Sequence, residues 1–452
     1  MIPSRRRPLV LSVVLLAAAA TAQAGAPAPL AAEQVAAIDA VFVELDSVRS
    51  PGCALGVVRG GELALARGYG MADLDHGIAI TPRSVFRTGS VSKQLTAATV
   101  ALVAADGDLS LDDEVRAHLP ELPDYGAPLT LRHLIHHTSG IRDYLTLFRL
   151  AGLRDDDWYT DPEVMAMIAR QAELNFAPGA EHLYSNSGYF LLSQVVLRAT
   201  GKSLRQIAEE RLFTPLGMRH SHFHDDHTEI VPLRATGYAR RDDGSWRRST
   251  TTLDMVGDGG VFTSIEDLSR WVASLDDGRL RGAAFRDSLY ERGRLASGAE
   301  TDYAFGLVHG TYRGLRTIGH GGAFVGYRAD LTRFPDQGLG IVTLCNFAEA
   351  QPSRYARRVA DVVLADRLEP EESGRSSRQR TEEEAEGAEG VEAPMEPVPA
   401  DLRAAVSGSF YSPELDAPTP SPSTARARGS RRRRGCRSSS SWPPPTRCAG
   451  GS

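Results

Sequence analysis

The residues with most to offer chemically are Ser90 and Lys93, in Gly89-Ser90-Val91-Ser92-Lys93, directly ahead of an apolar helical pattern. Positions i and i+3 share one face of a helix, so the hydroxyl and the amine stand side by side at its first turn. A serine hydroxyl is a weak nucleophile until a base takes its proton. Near the positive end of a helix dipole the ammonium form of lysine is disfavoured, which suits it to that task. The Ser90 N–H lies where an oxyanion could be held. Alone, the pair also has an ordinary reading, because a serine before a helix is commonly its N-cap. Two further groups follow. Tyr184-Ser185-Asn186 comes after the turn Phe176-Ala177-Pro178-Gly179, and a hydroxyl and an amide two residues apart on a loop can face one side. Gly319-His320-Gly321-Gly322 sets an imidazole among glycines that let a substrate backbone approach a strand. Singly, these read as a half-buried tyrosine, a turn asparagine and a strand-end histidine.

Elements that could position these groups are visible on either side. The apolar runs Cys53 to Val58 and Leu63 to Ala66, joined by Arg59-Gly60-Gly61-Glu62, predict a β-hairpin. Tyr327 to Phe334 and Leu339 to Leu344, joined by Pro335-Asp336-Gln337-Gly338, predict another. Leu95, Ala98, Thr99 and Leu102 recur at helical spacing up to Gly107, and Tyr189, Leu192, Val196 and Ala199 do so up to Gly201. Tyr355, Val359, Val362 and Val363 mark a helix after the second hairpin. The expectation is an α+β fold: an antiparallel sheet flanked by helices and completed by the late hairpin, with a helical insertion subdomain and the active site between them.

In their order, Ser90-x-x-Lys93, Tyr184-x-Asn186 and His320-x-Gly322 resemble the motifs of the penicillin-recognising serine hydrolases, in the branch of class C β-lactamases, D-aminopeptidases and esterases. Leu131 to Gly140, Pro215-Leu216-Gly217-Met218 and Gly259 to Ser264 are similar too, so the resemblance runs from about Gln34 to Leu368. It implies a β-lactamase/transpeptidase-like fold and an acyl-enzyme hydrolase that needs no cofactor. Ser90 would attack a carbonyl, and Lys93 and Tyr184 would share the acid and base roles. Asn186 would hold the substrate amide, with His320 and Gly322 lining the substrate strand. The N–H groups of Ser90 and Ala323 would form the oxyanion hole. Many β-lactamases have lysine where His320 stands. Histidine titrates near pH 6.5 and supplies no permanent charge for a substrate carboxylate. This points away from penicillins and towards D-amino-acid peptides, small amides or esters, with a D,D-carboxypeptidase or a silent binding member of the fold as alternatives.

Composition frames the rest. Of 452 residues 42% are hydrophobic and 24% charged, and mean hydropathy is −0.24, which suits a globular chain rather than a polytopic membrane protein. Arg5-Arg6-Arg7, the apolar run Leu9 to Ala20 and Ala22-Gln23-Ala24 predict a signal peptide over 1–24. The hydrolase domain is then 25–368, in a periplasmic or secreted protein without stable membrane insertion. Residues 369–400 read as an acidic disordered linker and 401–416 as the start of a truncated β-domain. From Ala417 onward there are eight arginines and no acid or lysine, leaving 43 basic against 57 acidic residues elsewhere, a net of −14. That stretch, 417–452, has no Val, Ile, Leu, Met, Phe or Tyr, and reads as a disordered, frameshifted tail. An exported protein makes nucleic acid an unsuitable partner for it. The expected partner is a small-molecule or peptide substrate, and oligomeric state is open.

Two clusters are set aside on sequence grounds. His220, His222, His224, Asp225, Asp226 and His227 alternate as three imidazoles on one strand face would. They follow Pro215 to Met218, however, where the resembled family has an ordinary connecting loop, so no metal is assigned. His133, His136 and His137 read as packing or a solvated face. Cys53 and Cys345 would pair only if their strands were neighbours, and the favoured reading is two buried free thiols.

Overall fold

A computed structural model describes residues 29–154, 157–370, 409–415 and 417–420. The segment read as a signal peptide, almost all of the expected linker and most of the tail lie outside the described residues. The chain opens with helix α1 (Ala32–Val41) and the hairpin β1 (Cys53–Arg59) and β2 (Glu62–Tyr69). A two-residue strand, β3 (Phe86–Arg87), runs into a single 3₁₀ turn, Gly89–Val91, that continues as α2 (Ser92–Asp106). The helical insertion follows and includes α3 (Leu131–Ile135), α4 (Tyr144–Leu150) and α5 (Asn186–Thr200). Beyond it come β4 (His222–Phe223), β5 (Val261–Thr263) and α6 (Ile265–Asp277). Then come β6 (Val308–Tyr312), β7 (Leu315–Phe324), β8 (Tyr327–Phe334), β9 (Leu339–Cys345) and α7 (Pro352–Val363).

The main sheet has the order β6-β7-β8-β9-β1-β2, every pair antiparallel. The late hairpin therefore completes a sheet begun by the early one. β1 and β9 are adjacent interior strands, buried on both faces, which is why each reads as an unbroken apolar run. The two-residue period of a strand divides their side chains between two cores. Ala54, Val58, Val342 and Leu344 join the larger core on the insertion side, while Leu55, Val57, Leu339 and Ile341 pack against α1 and α7. Helix α6 lies on the first face at two glycines. A Cβ on Gly56 would meet Ile265 at 2.7 Å, and one on Gly340 would meet Val272 at 2.4 Å. Gly107 and Gly201 end α2 and α5 in the left-handed conformation, as their positions predict.

The structure corrects one expectation. Cys53 and Cys345 are directly opposed across β1 and β9, with Cα atoms 4.0 Å apart, and form a disulfide rather than two thiols. Only the closed sheet brings the two ends of the domain together. A cross-link closing so long a loop constrains the unfolded chain, and losing it typically costs about 2–5 kcal/mol. Cys345→Ser is therefore expected to unfold at clearly lower urea than wild type. A reductant should lower the wild-type midpoint and leave the variant's unchanged. At the head of the tail, Ala417–Pro420 pairs antiparallel with Ser409–Ser412.

Candidate active site

Helix α2 places the nucleophile at the centre of the molecule. Its first three turns are buried all round, polar side chains included. Those polar groups hold the neighbouring loops: Thr96 Oγ1 donates to the Gly257 carbonyl at 2.6 Å, and Ser92 Oγ accepts from the Val261 N–H at 3.1 Å. Ser90 sits in the preceding 3₁₀ turn, 5% exposed. Lys93 Nζ contacts Ser90 Oγ at 3.1 Å, Asn186 Oδ1 at 2.8 Å and the Asp258 carbonyl at 2.7 Å. The two shorter contacts are to pure acceptors and take two N–H bonds. The third position faces the Ser90 hydroxyl, so a neutral amine directs its lone pair at the proton to be removed. The Nζ also lies 4.6 Å from the centre of the Tyr184 ring. The sequence-derived residues Ser90, Lys93, Tyr184 and Asn186 thus converge from two separate helices and a loop.

Asn186 is the first residue of α5 rather than a loop residue, and its N–H donates to Asp143 Oδ2 at 2.6 Å. Tyr184 is placed by His137. That imidazole is buried, lies 4.2 Å from the Tyr184 ring, and accepts the Ser185 N–H on Nδ1 at 3.2 Å. Its backbone has φ 55°, a left-handed value unusual outside glycine.

The third motif lies on β7. His320 Nδ1 contacts the Gly321 carbonyl at 2.5 Å, and its Nε2 contacts Tyr303 Oη at 3.1 Å. A carbonyl only accepts, so Nδ1 carries the proton and Nε2 accepts from Tyr303. Burial pulls the His320 pKa down to about 4. The ring is therefore neutral and spent on internal bonds, and the strand's backbone is what faces a substrate. Gly322 explains the close approach: a Cβ there would lie 2.1 Å from the Thr88 carbonyl and 3.1 Å from the Ser90 nitrogen. Gly89, with φ 52°, is pressed against Ala323, whose nitrogen would lie 2.7 Å from an added Cβ. This contact sets the Ser90 and Ala323 backbones side by side at the cleft.

The cleft is lined by Ser90, Asn186 and Ala323 together with residues that sequence reasoning missed, among them Arg87, Tyr144, Leu253 and Asp258. Tyr144 donates to Asp258 Oδ2 at 3.0 Å, while the buried Oδ1 has no hydrogen-bond partner among the described residues. Burial pushes the Asp258 carboxyl above the usual range, an effect that Lys93 would oppose in its protonated form. Arg87 is buried beside the rings of Phe324 and Phe262, at 5.1 and 5.9 Å. Asp258 did carry a signal: it stands in Gly257-Asp258-Gly259-Gly260, where Gly257 and Gly260 take φ of 113° and 87°.

Buried neutral histidines give the fold a pH dependence. His136, His224 and His320 fall to about 4 and His137 is also held well below the ordinary imidazole value, each chiefly through burial. Below about pH 6.5 the unfolded chain takes up protons that the folded chain refuses. Stability is then full above that value and declines as pH falls towards 4. Asp330, raised to about 6 by burial, acts in the opposite sense but is outnumbered. The urea midpoint is expected to be lower at pH 5 than at pH 7.5, and an equal or higher midpoint would contradict this assignment.

Comparison with known proteins agrees with this geometry. Residues 35–365 match the Beta-lactamase family. The chain is 31% identical to a D-aminopeptidase of Gluconobacter oxydans over 335 residues, covering 73% of this chain and 62% of that protein. It is 30% identical to a D-aminopeptidase of Brucella canis over 321 residues, covering 70% and 60% respectively. The chain thus spans about 60% of the length of these curated relatives. Among solved structures, it is similar to an octameric penicillin-binding protein homologue from Pyrococcus abyssi, with a TM-score of 0.65, 24% identity and coverage of 75% and 78%. It is also similar to a D-amino acid amidase from Ochrobactrum anthropi, with a TM-score of 0.63, 22% identity and coverage of 74% and 99%. Those structures share the fold, and the family match over residues 35–365 shows that this chain belongs to the beta-lactamase family.

Proposed function

We propose that the protein is an exported serine hydrolase that cleaves D-amino-acid amides, short D-peptides or related esters through an acyl-enzyme. The observation that carries this reading is the contact of Lys93 Nζ with Ser90 Oγ inside a buried cage of acceptors. Ser90 Oγ attacks the substrate carbonyl and gives its proton to the Lys93–Tyr184 pair. The carbonyl oxygen gains negative charge opposite the Ser90 and Ala323 N–H groups. The scissile bond breaks as the proton passes to the leaving amine or alcohol, and water repeats the sequence to release the acid. Asn186 orients the substrate amide.

Two observations support a substrate with a free amino end. The aligned relatives are D-aminopeptidases, and Asp258 Oδ1 offers a buried, unpaired carboxylate oxygen at the cleft. Arg87 favours a second reading, because a guanidinium lining the cleft suits the C-terminal carboxylate of a D,D-carboxypeptidase substrate. The Cys53–Cys345 disulfide supports the periplasmic or secreted location that the N-terminal residues predict.

The test is a panel of D-alanine amide, its L-enantiomer, acyl-D-Ala-D-Ala, p-nitrophenyl esters, nitrocefin and benzylpenicillin. Turnover of the D-amide and esters is expected, with weak or no hydrolysis of benzylpenicillin. Release of D-Ala from the acyl dipeptide without amide turnover would favour the second reading. Failure to turn over any of them, with no labelling by a fluorophosphonate, would refute catalysis.

A further inference from the structure

Sequence alone assigns the His220 to His227 segment no metal, but its geometry points elsewhere. β4 carries His222, His224 follows it with its side chain buried, and Glu229 returns from the next turn. The three facing atoms are His222 Nε2, His224 Nδ1 and Glu229 Oε2. The imidazole nitrogens are 3.2 Å apart, and the carboxylate oxygen lies 3.9 and 3.7 Å from them. A triangle with those sides has its centre about 2.1 Å from every corner, matching zinc–imidazole and zinc–carboxylate bonds of about 2.0–2.2 Å. We propose that His222, His224 and Glu229 bind one Zn²⁺ ion, with water completing the coordination.

The donor set fits that ion. Two imidazoles and one carboxylate suit zinc, whereas calcium and magnesium favour all-oxygen shells. The surroundings orient the ligands. Arg205 donates to both Glu229 oxygens, at 2.7 and 2.8 Å, and to Asp225 at 2.8 Å, which fixes the carboxylate while leaving Oε2 a further lone pair. The Phe262 ring packs against both imidazoles, at 5.9 and 4.5 Å. Phe262 belongs to β5, which pairs with both β4 and β3. An ion here would tie the turn carrying Glu229 to β4, a strand of the small sheet whose β3 leads into the Ser90 turn, a structural role separate from the cleft.

The test uses metal-free full-length protein without a polyhistidine tag. Co²⁺ is titrated while visible absorption is followed, and Zn²⁺ is then added. One equivalent of Co²⁺ with the bands of a four-coordinate ion, displaced by one equivalent of Zn²⁺, is expected, together with a rise in Tm. His222→Gln and Glu229→Gln should each weaken binding about tenfold or more. His220→Gln and His227→Gln, which alter imidazoles outside the triangle, should not. His222 and Glu229 are partly exposed, and circular dichroism checks that their variants fold. Absence of Co²⁺ uptake by wild type at micromolar concentrations overturns the proposal, as does uptake by His222→Gln with the affinity of wild type.

Discussion

Ser90→Ala protein is expected to lose turnover of every substrate that wild type accepts, by about 10⁴-fold or more, while folding normally. Only the Oγ atom is removed. Asn186 and the Asp258 carbonyl still hold the Lys93 amine through its two shorter contacts, so the cage stays in place. The cleft still binds substrate, and the loss falls on kcat, with KM nearly unchanged. The variant should also fail to take a fluorophosphonate label. Activity within tenfold of wild type would place the chemistry on another residue.

Gly322→Ala is expected to reduce kcat by about 10²-fold or more, a different kind of loss because no reacting group is removed. The added methyl would lie 2.1 Å from the Thr88 carbonyl and 3.0 Å from the Val91 nitrogen. Both are backbone atoms and cannot swing aside as the end of a long side chain does. β7 must therefore draw back from the turn that holds Ser90, taking the Ala323 N–H away from the Ser90 N–H. Losing one oxyanion donor costs about 10²–10³ in kcat. Gly321→Ala is the matched control, since its Cβ would meet only the Ala329 carbonyl, at 4.0 Å. Burst kinetics with a p-nitrophenyl ester should show slow acylation in the first variant and near-normal acylation in the second. Equal behaviour of the two would remove the close strand approach from the mechanism.

What could be read in advance was local. Ser90 and Lys93 are three residues apart, and helix geometry alone sets them together. The two hairpins and the helix stops at Gly107 and Gly201 follow from alternation and turn residues. What could not be read depends on distant segments meeting. Cys53 gives no sign of Cys345 until β1 and β9 are known to be neighbours. Asp258 matters because α2 and the insertion close over it, and Tyr144 because its hydroxyl reaches that carboxylate across 114 residues. His137 looked like packing and does pack, but against the ring of Tyr184 and the loop that carries it. Arg87 had no periodic or motif signal at all. His320 was visible as a departure from lysine, yet that both its nitrogens are occupied is a fact of tertiary structure.

The pairing of β1 with β9 in the interior of the sheet also governs when the protein can fold. Cys53 must find a partner 292 residues further along. Until the ribosome has delivered β8 and β9, the early hairpin has an open inner edge and no second face to bury. Contacts this distant in sequence bring their stabilisation only after a long loop has been closed, so the rate-limiting search comes late. A nascent chain of this design stays unfolded until nearly all of the domain has been made. The disulfide closes only where both ends of the domain are present together in an oxidising space.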